Sequence, residues 1–282
     1  MNRKPFYSPC VINKNHAHAE NLVGGYLLNN MTGIVCHDYS KNGHDCNLSE
    51  NLFNSQGVYS TSVNQEGIIQ NTNNSLINSE EGTILIYLKS YAPFLDFKDH
   101  MIFGFSSGSL GDFMLLKNLQ NRLYFIFQDD VGQHIIRIGA LSTWETGTLL
   151  CVQWRRTSAI WNSDNMVFNI NGDYVSPAAV SGETSWNLFN VNQSMYILNN
   201  KTNIFGAQKP YFDGEFHYFY IYNKVLSSET IKSIYQDPYA MVYKPNYLSN
   251  FIGAYAPQLL PTTMDKRHKH FGANALPIGI GL

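Results

Sequence analysis

Apolar residues recur along this chain in short runs, and the separators between them carry Gly, Asn, Asp and Ser. The runs include LVGGYLL (22–28), TILIYLK (83–89), MIFGFSS (101–107), FMLLK (113–117), RLYFIFQ (122–128), HIIRIG (134–139), LLCVQWRR (149–156), MVFNING (166–172), MYILNN (195–200) and FHYFYIYN (216–223). Each is of strand length. Many short strands with turn signals between them predict an all-β sandwich or barrel. MVFNINGDYVS is the clearest local unit, because Asn171-Gly172 or Gly172-Asp173 supplies the positive φ angles of a tight hairpin turn.

One segment has helical rather than strand character. In LSSETIKSIYQDP, Ser227 is placed to cap a helix N-terminus, Glu229 falls in its first turn and Pro238 stops it. Beyond Tyr243 the pattern is lost. Pro245, Pro257, Pro261 and Pro277 break residues 244–282, which are expected to form an extended tail, and residues 1–20 are expected to form a similar arm. The domain proper is then 21–243.

Composition sharpens the β reading. The chain has 282 residues, enough for a sizeable core, with 18 Tyr and 17 Phe. Only 14% of residues are charged, against about a quarter in typical domains. The net charge of -2 gives no electrostatic reason to expect nucleic acid or an acidic membrane as partner. No apolar run approaches the roughly 20 residues that span a bilayer, and no secretory signal is expected from the first residues. Four cysteines without paired spacing do not form a disulfide framework in so long a chain, which is expected to be made in a reducing cytoplasm.

Three stretches share one pattern. HAENLVGGYLLNNMTGIVCHDYSKNGHDCNL (18–48) resembles the opening of laminin-G-like jelly-roll domains of the concanavalin A-like lectin/glucanase superfamily. FNINGDYV (168–175) resembles that family's central hairpin, and FGAQKPYFDGEFHYFYIYNKVLSSETIKSIYQDPYAMV (205–242) resembles its closing signature. INKNHAHAENLVG (12–24) and IYQDPYAMV (234–242) resemble the style of bacteriophage and environmental viral proteins. The resemblance implies a two-sheet antiparallel jelly roll, to which the residue pattern adds one short C-terminal helix and extended terminal arms. Alternation then puts Tyr218, Tyr220 and Tyr222 on one face of the last strand and Phe219 and Ile221 on the other.

Candidate chemistry is sparse. CHDYSKNGHDC (36–46) has zinc-type ligands in Cys36, His37, His44 and Cys46, but not a standard zinc spacing. In the family pattern Asp38 and Asn42-Gly43 form a turn, with Asx side chains bonding nearby backbone. A Cys36–Cys46 disulfide across it is an open alternative in oxidising surroundings. Asp213-Gly214-Glu215 reads as a turn entering a strand. Laminarinase-type relatives carry E-x-D-x-x-E on one strand, and that motif is absent, so glycoside hydrolysis would need atypical acids around Glu215. No cofactor is implied. Structural calcium occurs in the superfamily, but His217 and Tyr218 replace acids found after the family's Gly-Glu, and the hard oxygen ligands cannot be assembled. Trp144, Trp161, Trp186 and Tyr174 sit near expected loops or strand ends and are the candidates for stacking on a glycan, although packing roles compete; Trp154 is expected in the core. The basic cluster Lys266–His270 reads as a solvated tail.

The resemblance, the missing acids and the expected arms together point to a non-enzymatic virion structural protein. It would be made in the host cytoplasm and displayed on the virion surface as capsid decoration or a tail-associated part. Its partners would be other virion subunits or further copies, held through the arms, and host or environmental glycans. The alternatives are a cell-surface carbohydrate-binding adhesin and an atypical glycoside hydrolase.

Overall fold

The computed structural model describes residues 11–28, 33–40, 42–50, 52–54, 56–62, 64–69, 76–105, 113–128, 132–139, 141–157, 163–182, 194–199 and 211–243. All of these fall in one compact unit, Met1–Pro245. The candidates Trp161 and Trp186, the basic cluster 266–270 and the tail 244–282 lie outside the described residues.

The protein is an all-β sandwich of two antiparallel sheets with one short α-helix. One sheet has seven strands in the order Asp173–Val175, Met166–Ile170, Thr148–Arg155, Glu81–Ser90, Gly214–Tyr222 and Leu22–Tyr26, with Val58–Ser60 also paired to Gly214–Tyr222. The other has nine, in the order Ala179–Gly182, Gln133–Ile138, Leu123–Gln128, Phe113–Lys117, His100–Phe105, Met195–Ile197, Gly67–Ile69, Cys46–Leu48 and Val35–Cys36. The hairpin Met166–Ile170/Asp173–Val175 turns at Asn171 (φ 55°) and Gly172 (φ 91°), which are the residues whose chemistry suits that backbone.

Alternation sorts the strands as the sequence implies. Ile84, Ile86, Leu88, Leu150, Val152, Phe216, Phe219 and Ile221 face the second sheet and pack with Phe103, Phe113, Leu115 and Phe125 in the main core. Tyr218, Tyr220 and Tyr222 point the other way, onto Ile231, Ile234 and Met241. The seven-stranded sheet is therefore covered on both faces, which is why Glu81–Ser90 and Gly214–Tyr222 read as almost unbroken apolar runs. A bulge between Phe216 and Tyr218 lets Phe216 and Phe219 share the inner face despite their odd spacing. Gly82 stands opposite Trp154, and a Cβ there would lie 2.2 Å from the indole ring, so the bare backbone is what admits the tryptophan.

The helix, Ser228–Gln236, is capped by Ser227, whose hydroxyl accepts from the Thr230 N–H at 3.2 Å. Ile231 and Ile234 are its buried face. Two tyrosine hydroxyls tie this layer down: Tyr220 donates to the Pro238 carbonyl at 2.8 Å and Tyr222 to the His18 carbonyl at 2.9 Å. Residues from 11 onward belong to this closure, since Val11–Ile12 pairs with Val242–Tyr243.

Candidate functional site

The opening turn is organised by one carboxylate. Asp38 Oδ1 accepts from the N–H groups of Gly25 and Ser40, both at 2.9 Å. Its Oδ2 accepts from the Ser40 hydroxyl at 2.8 Å and the His44 N–H at 3.2 Å. Asn42 Nδ2 donates to the carbonyl of Val23 at 3.1 Å, and Gly43 takes a φ of 80°. No group of three or more His, Cys, Asp or Glu able to hold a metal occurs among the described residues.

Cys36 and Cys46 are directly opposite in the antiparallel register, both buried, and both are thiols. The Leu48 N–H bonds to the Ile34 carbonyl, so by alternation Cys36 and Cys46 occupy a hydrogen-bonded pair, where Cα atoms lie about 5.5 Å apart. That spacing suits a disulfide. A hydrogen bond with Cys36, and then burial, push the Cys46 thiol well above its ordinary range, so oxidation of the folded protein should be slow. After prolonged exposure to oxidised glutathione, peptide mapping without reductant should find Cys36 linked to Cys46 and Cys151 still free.

The polar feature with access to the surface lies at the start of the strand Gly214–Tyr222. Glu215 is 5% exposed on the outer face of the seven-stranded sheet. Its Oε1 accepts from His217 Nε2 at 3.0 Å, and its Oε2 accepts from Asn54 Nδ2 at 3.1 Å and the Tyr91 hydroxyl at 3.0 Å. The His217 bond, with those from Asn54 and Tyr91, outweighs burial and holds the carboxyl at about 2. Burial, then the bond to Glu215, push Tyr91 up to about 12. Tyr59 and Lys89 stand opposite Glu215 on the two flanking strands, and the Tyr87 ring lies 5.2 Å from that of His217. Tyr91 is 47% exposed. The result is an aromatic ring at the surface, pinned at its hydroxyl, beside an ionised carboxylate, an amide and an imidazole.

Tyr91 begins a loop, residues 91–99, that joins the two sheets. Beneath it lies a buried ionic group that the sequence does not announce. Lys117, fully buried, donates to Asp96 Oδ1 and, at 2.9 Å, to the Lys98 carbonyl. Asp96 Oδ2 meets His100 Nε2 at 2.6 Å, while His100 Nδ1 faces the Tyr211 carbonyl at 3.2 Å. Burial raises the Asp96 carboxyl, but the bonds from Lys117 and His100 outweigh it and hold it below the usual range.

The structure redistributes the aromatic candidates. Trp144 is fully buried, so it is corrected from a glycan-stacking candidate to a core residue: it is wedged edge-on against Phe94 at 5.3 Å and Phe212 at 5.5 Å. Trp154 lies in the core as expected. Tyr174 is 61% exposed on the edge strand Asp173–Val175, away in sheet order from Glu215. Asp213 precedes the strand, and its carbonyl accepts the Tyr91 N–H at 2.8 Å. Tyr91, Asn54 and His217 escaped the sequence reading as a set; only the Tyr-Ala-Pro turn after a strand hinted at a surface aromatic.

No family model and no curated protein matches the chain. Solved structures do share its fold. The receptor binding domain of botulinum neurotoxin D superposes with a TM-score of 0.59 at 13% identity, covering 79% of this chain and 54% of that one. The binding domain of botulinum neurotoxin DC in complex with SialylT gives 0.57 at 14% identity, covering 78% and 52%. Trypanosoma rangeli sialidase in complex with sialic acid gives 0.56 at 13% identity, covering 79% and 34%. The chain thus spans about half the length of the toxin domains and about a third of the sialidase.

Proposed function

We propose that this chain is a lectin-like binding domain that takes a glycan at the Tyr91–Glu215 end of the sandwich and performs no hydrolysis there. The observation that carries this reading is the pinned, half-exposed ring of Tyr91 beside Glu215, Asn54 and His217. A fixed aromatic face offers stacking at low entropic cost, and the polar groups around it suit sugar hydroxyls. Two toxin binding domains and a sialidase of the same fold, two of them holding SialylT or sialic acid, make sialylated sugars the first ligands to try.

Catalysis is a poor fit to the same groups. A glycosidase acid must hold a proton near neutral pH, and Glu215 is held at about 2. Tyr91, at about 12, keeps its proton and is a weak nucleophile. We further place the domain on a virion surface, in contact with other virion subunits through residues 1–10 and 244–282. The support is the viral style of 12–24 and 234–242, within the laminin-G-like resemblance of 18–48, 168–175 and 205–242.

Titration of the full chain with sialylated and neutral oligosaccharides should find one class that binds, and Tyr91→Ala should weaken it at least about tenfold. Failure of every glycan, or an unchanged Tyr91→Ala affinity, overturns the glycan reading. Antibody against the sandwich should label intact particles, and absence of the chain from purified particles overturns the placement.

A further inference from the structure

Large apolar side chains are concentrated at one place on the surface. Leu95 is 61% exposed, Phe97 69% and Leu119 55%. Leu95 and Phe97 are on the loop that leads into the strand His100–Phe105. Leu119 is in the turn between the neighbouring strands Phe113–Lys117 and Leu123–Gln128. His100 pairs with Lys117 in register, so loop and turn emerge at the same end of adjacent strands.

The two segments are stitched together. The Phe97 N–H donates to Asn121 Oδ1 at 3.0 Å, and the Leu119 N–H donates to Asp99 Oδ1 at 2.8 Å. From below, Lys117 holds Asp96 and the Lys98 carbonyl. Phe97 has a φ of 57°, a left-handed conformation that a bulky L-residue resists. An exposed phenylalanine in that conformation adds little to the core. Its backbone suits Asn, and its ring is out in solvent, so local stability does not account for the residue.

Charge is distributed unequally around these side chains. Asp96 is turned inward on Lys117 and His100, and Asp99, the carboxylate that stays at this tip, accepts the Leu119 N–H on one oxygen. Lys98, between Phe97 and Asp99, is exposed, and Arg122 flanks the turn with its guanidinium on Gln120. The net charge of the whole chain conceals this local arrangement.

We propose that this tip is a membrane-contact site, which sinks Leu95, Phe97 and Leu119 into the headgroup and upper acyl region of an anionic phospholipid bilayer while Lys98 and Arg122 meet the headgroups. Apolar side chains carried on separate loop tips fit a fluid interface, which closes around each of them. The cations add attraction for anionic lipid. Pinning the loops beforehand spares the ordering cost on contact. Each apolar side chain adds about tenfold to partitioning when it is fully taken up, so one copy binds weakly and an array of copies binds firmly.

The experiment is co-sedimentation of the full chain with vesicles of phosphatidylcholine alone or doped with phosphatidylserine. Wild type should pellet with the doped vesicles and much less with the neutral ones. Phe97→Asn should reduce that binding about tenfold while its thermal midpoint stays level or rises, because Asn accepts the left-handed backbone better. Adding Leu119→Ser should abolish the remainder. Wild type that ignores both vesicles, or Phe97→Asn that binds like wild type, overturns the proposal. The glycan reading is independent of this outcome, since Tyr91 is unchanged in these variants.

Discussion

Replacing Asp96 with alanine should cost the fold about 3–5 kcal/mol, the loss typical of a buried ion pair stripped of one partner. The reason lies in what remains. Lys117 is fully buried, and without Asp96 its ammonium keeps, among the described residues, only the Lys98 carbonyl as an acceptor. His100 loses its carboxylate at the same step. The measurement is urea unfolding, read as the midpoint at constant slope. Removing both charges in Asp96→Ala/Lys117→Met should recover much of the loss, because the stranded cation is gone. A double variant no more stable than the single one would mean that packing of the 91–99 loop, and not charge, is at stake. The pH dependence has a definite sign. The folded-state carboxyl of Asp96 is held below its unfolded value, about 3.9, so its contribution is fully present above that value. It drains away as pH falls through the lower folded value, and the advantage of wild type over Asp96→Asn should narrow in that window.

Asp38→Ala should be the second severe change, costing on the order of 3 kcal/mol. The carboxylate receives three backbone N–H groups, from Gly25, Ser40 and His44, together with the Ser40 hydroxyl. The site is nearly closed to solvent, so alanine would leave buried donors unmet rather than hydrated. Asp38→Asn is the informative companion. Its carbonyl keeps the Gly25 and Ser40 donors, but its amide presents hydrogens to the His44 N–H. A loss of about half that of alanine is expected. Equal losses in both variants would mean that the negative charge matters more than the bond count. Because the turn leaves Val35–Cys36 in one sheet and is bonded through Asp38 to Gly25 of Leu22–Tyr26 in the other, the damage should appear as lower global stability and not as fraying alone.

The β architecture was legible because its signals are local. Asn171-Gly172 names its own turn, Ser227 its own cap, and the Tyr218–Tyr220–Tyr222 row its own face. Asp38 was legible for the same reason, since two of its partners, Ser40 and His44, are within six residues. The surface site was not. Glu215 is joined by Asn54 and Tyr91, each more than a hundred residues away along the chain. Trp144, in the turn-rich LSTWETG, reads as a surface residue until Phe94 and Phe212 close over it. Lys117 ends the apolar run FMLLK, and the crossing of loop 91–99 above it explains its burial. Contacts between distant segments are what the pattern along a single chain does not carry.

The pairing of Val11–Ile12 with Val242–Tyr243 has a consequence for how such a sandwich can be mounted. Residues 11 and 243 lie side by side, so the polypeptide enters and leaves through one doorway. A domain of this kind can be spliced into an exposed loop of a carrier protein without prising the carrier's loop apart. It can also be rewired, with 11 and 243 bridged by a short linker and new ends opened elsewhere, and keep its layers. Evolution and protein engineers alike are free to treat residues 11–243 as a portable cassette.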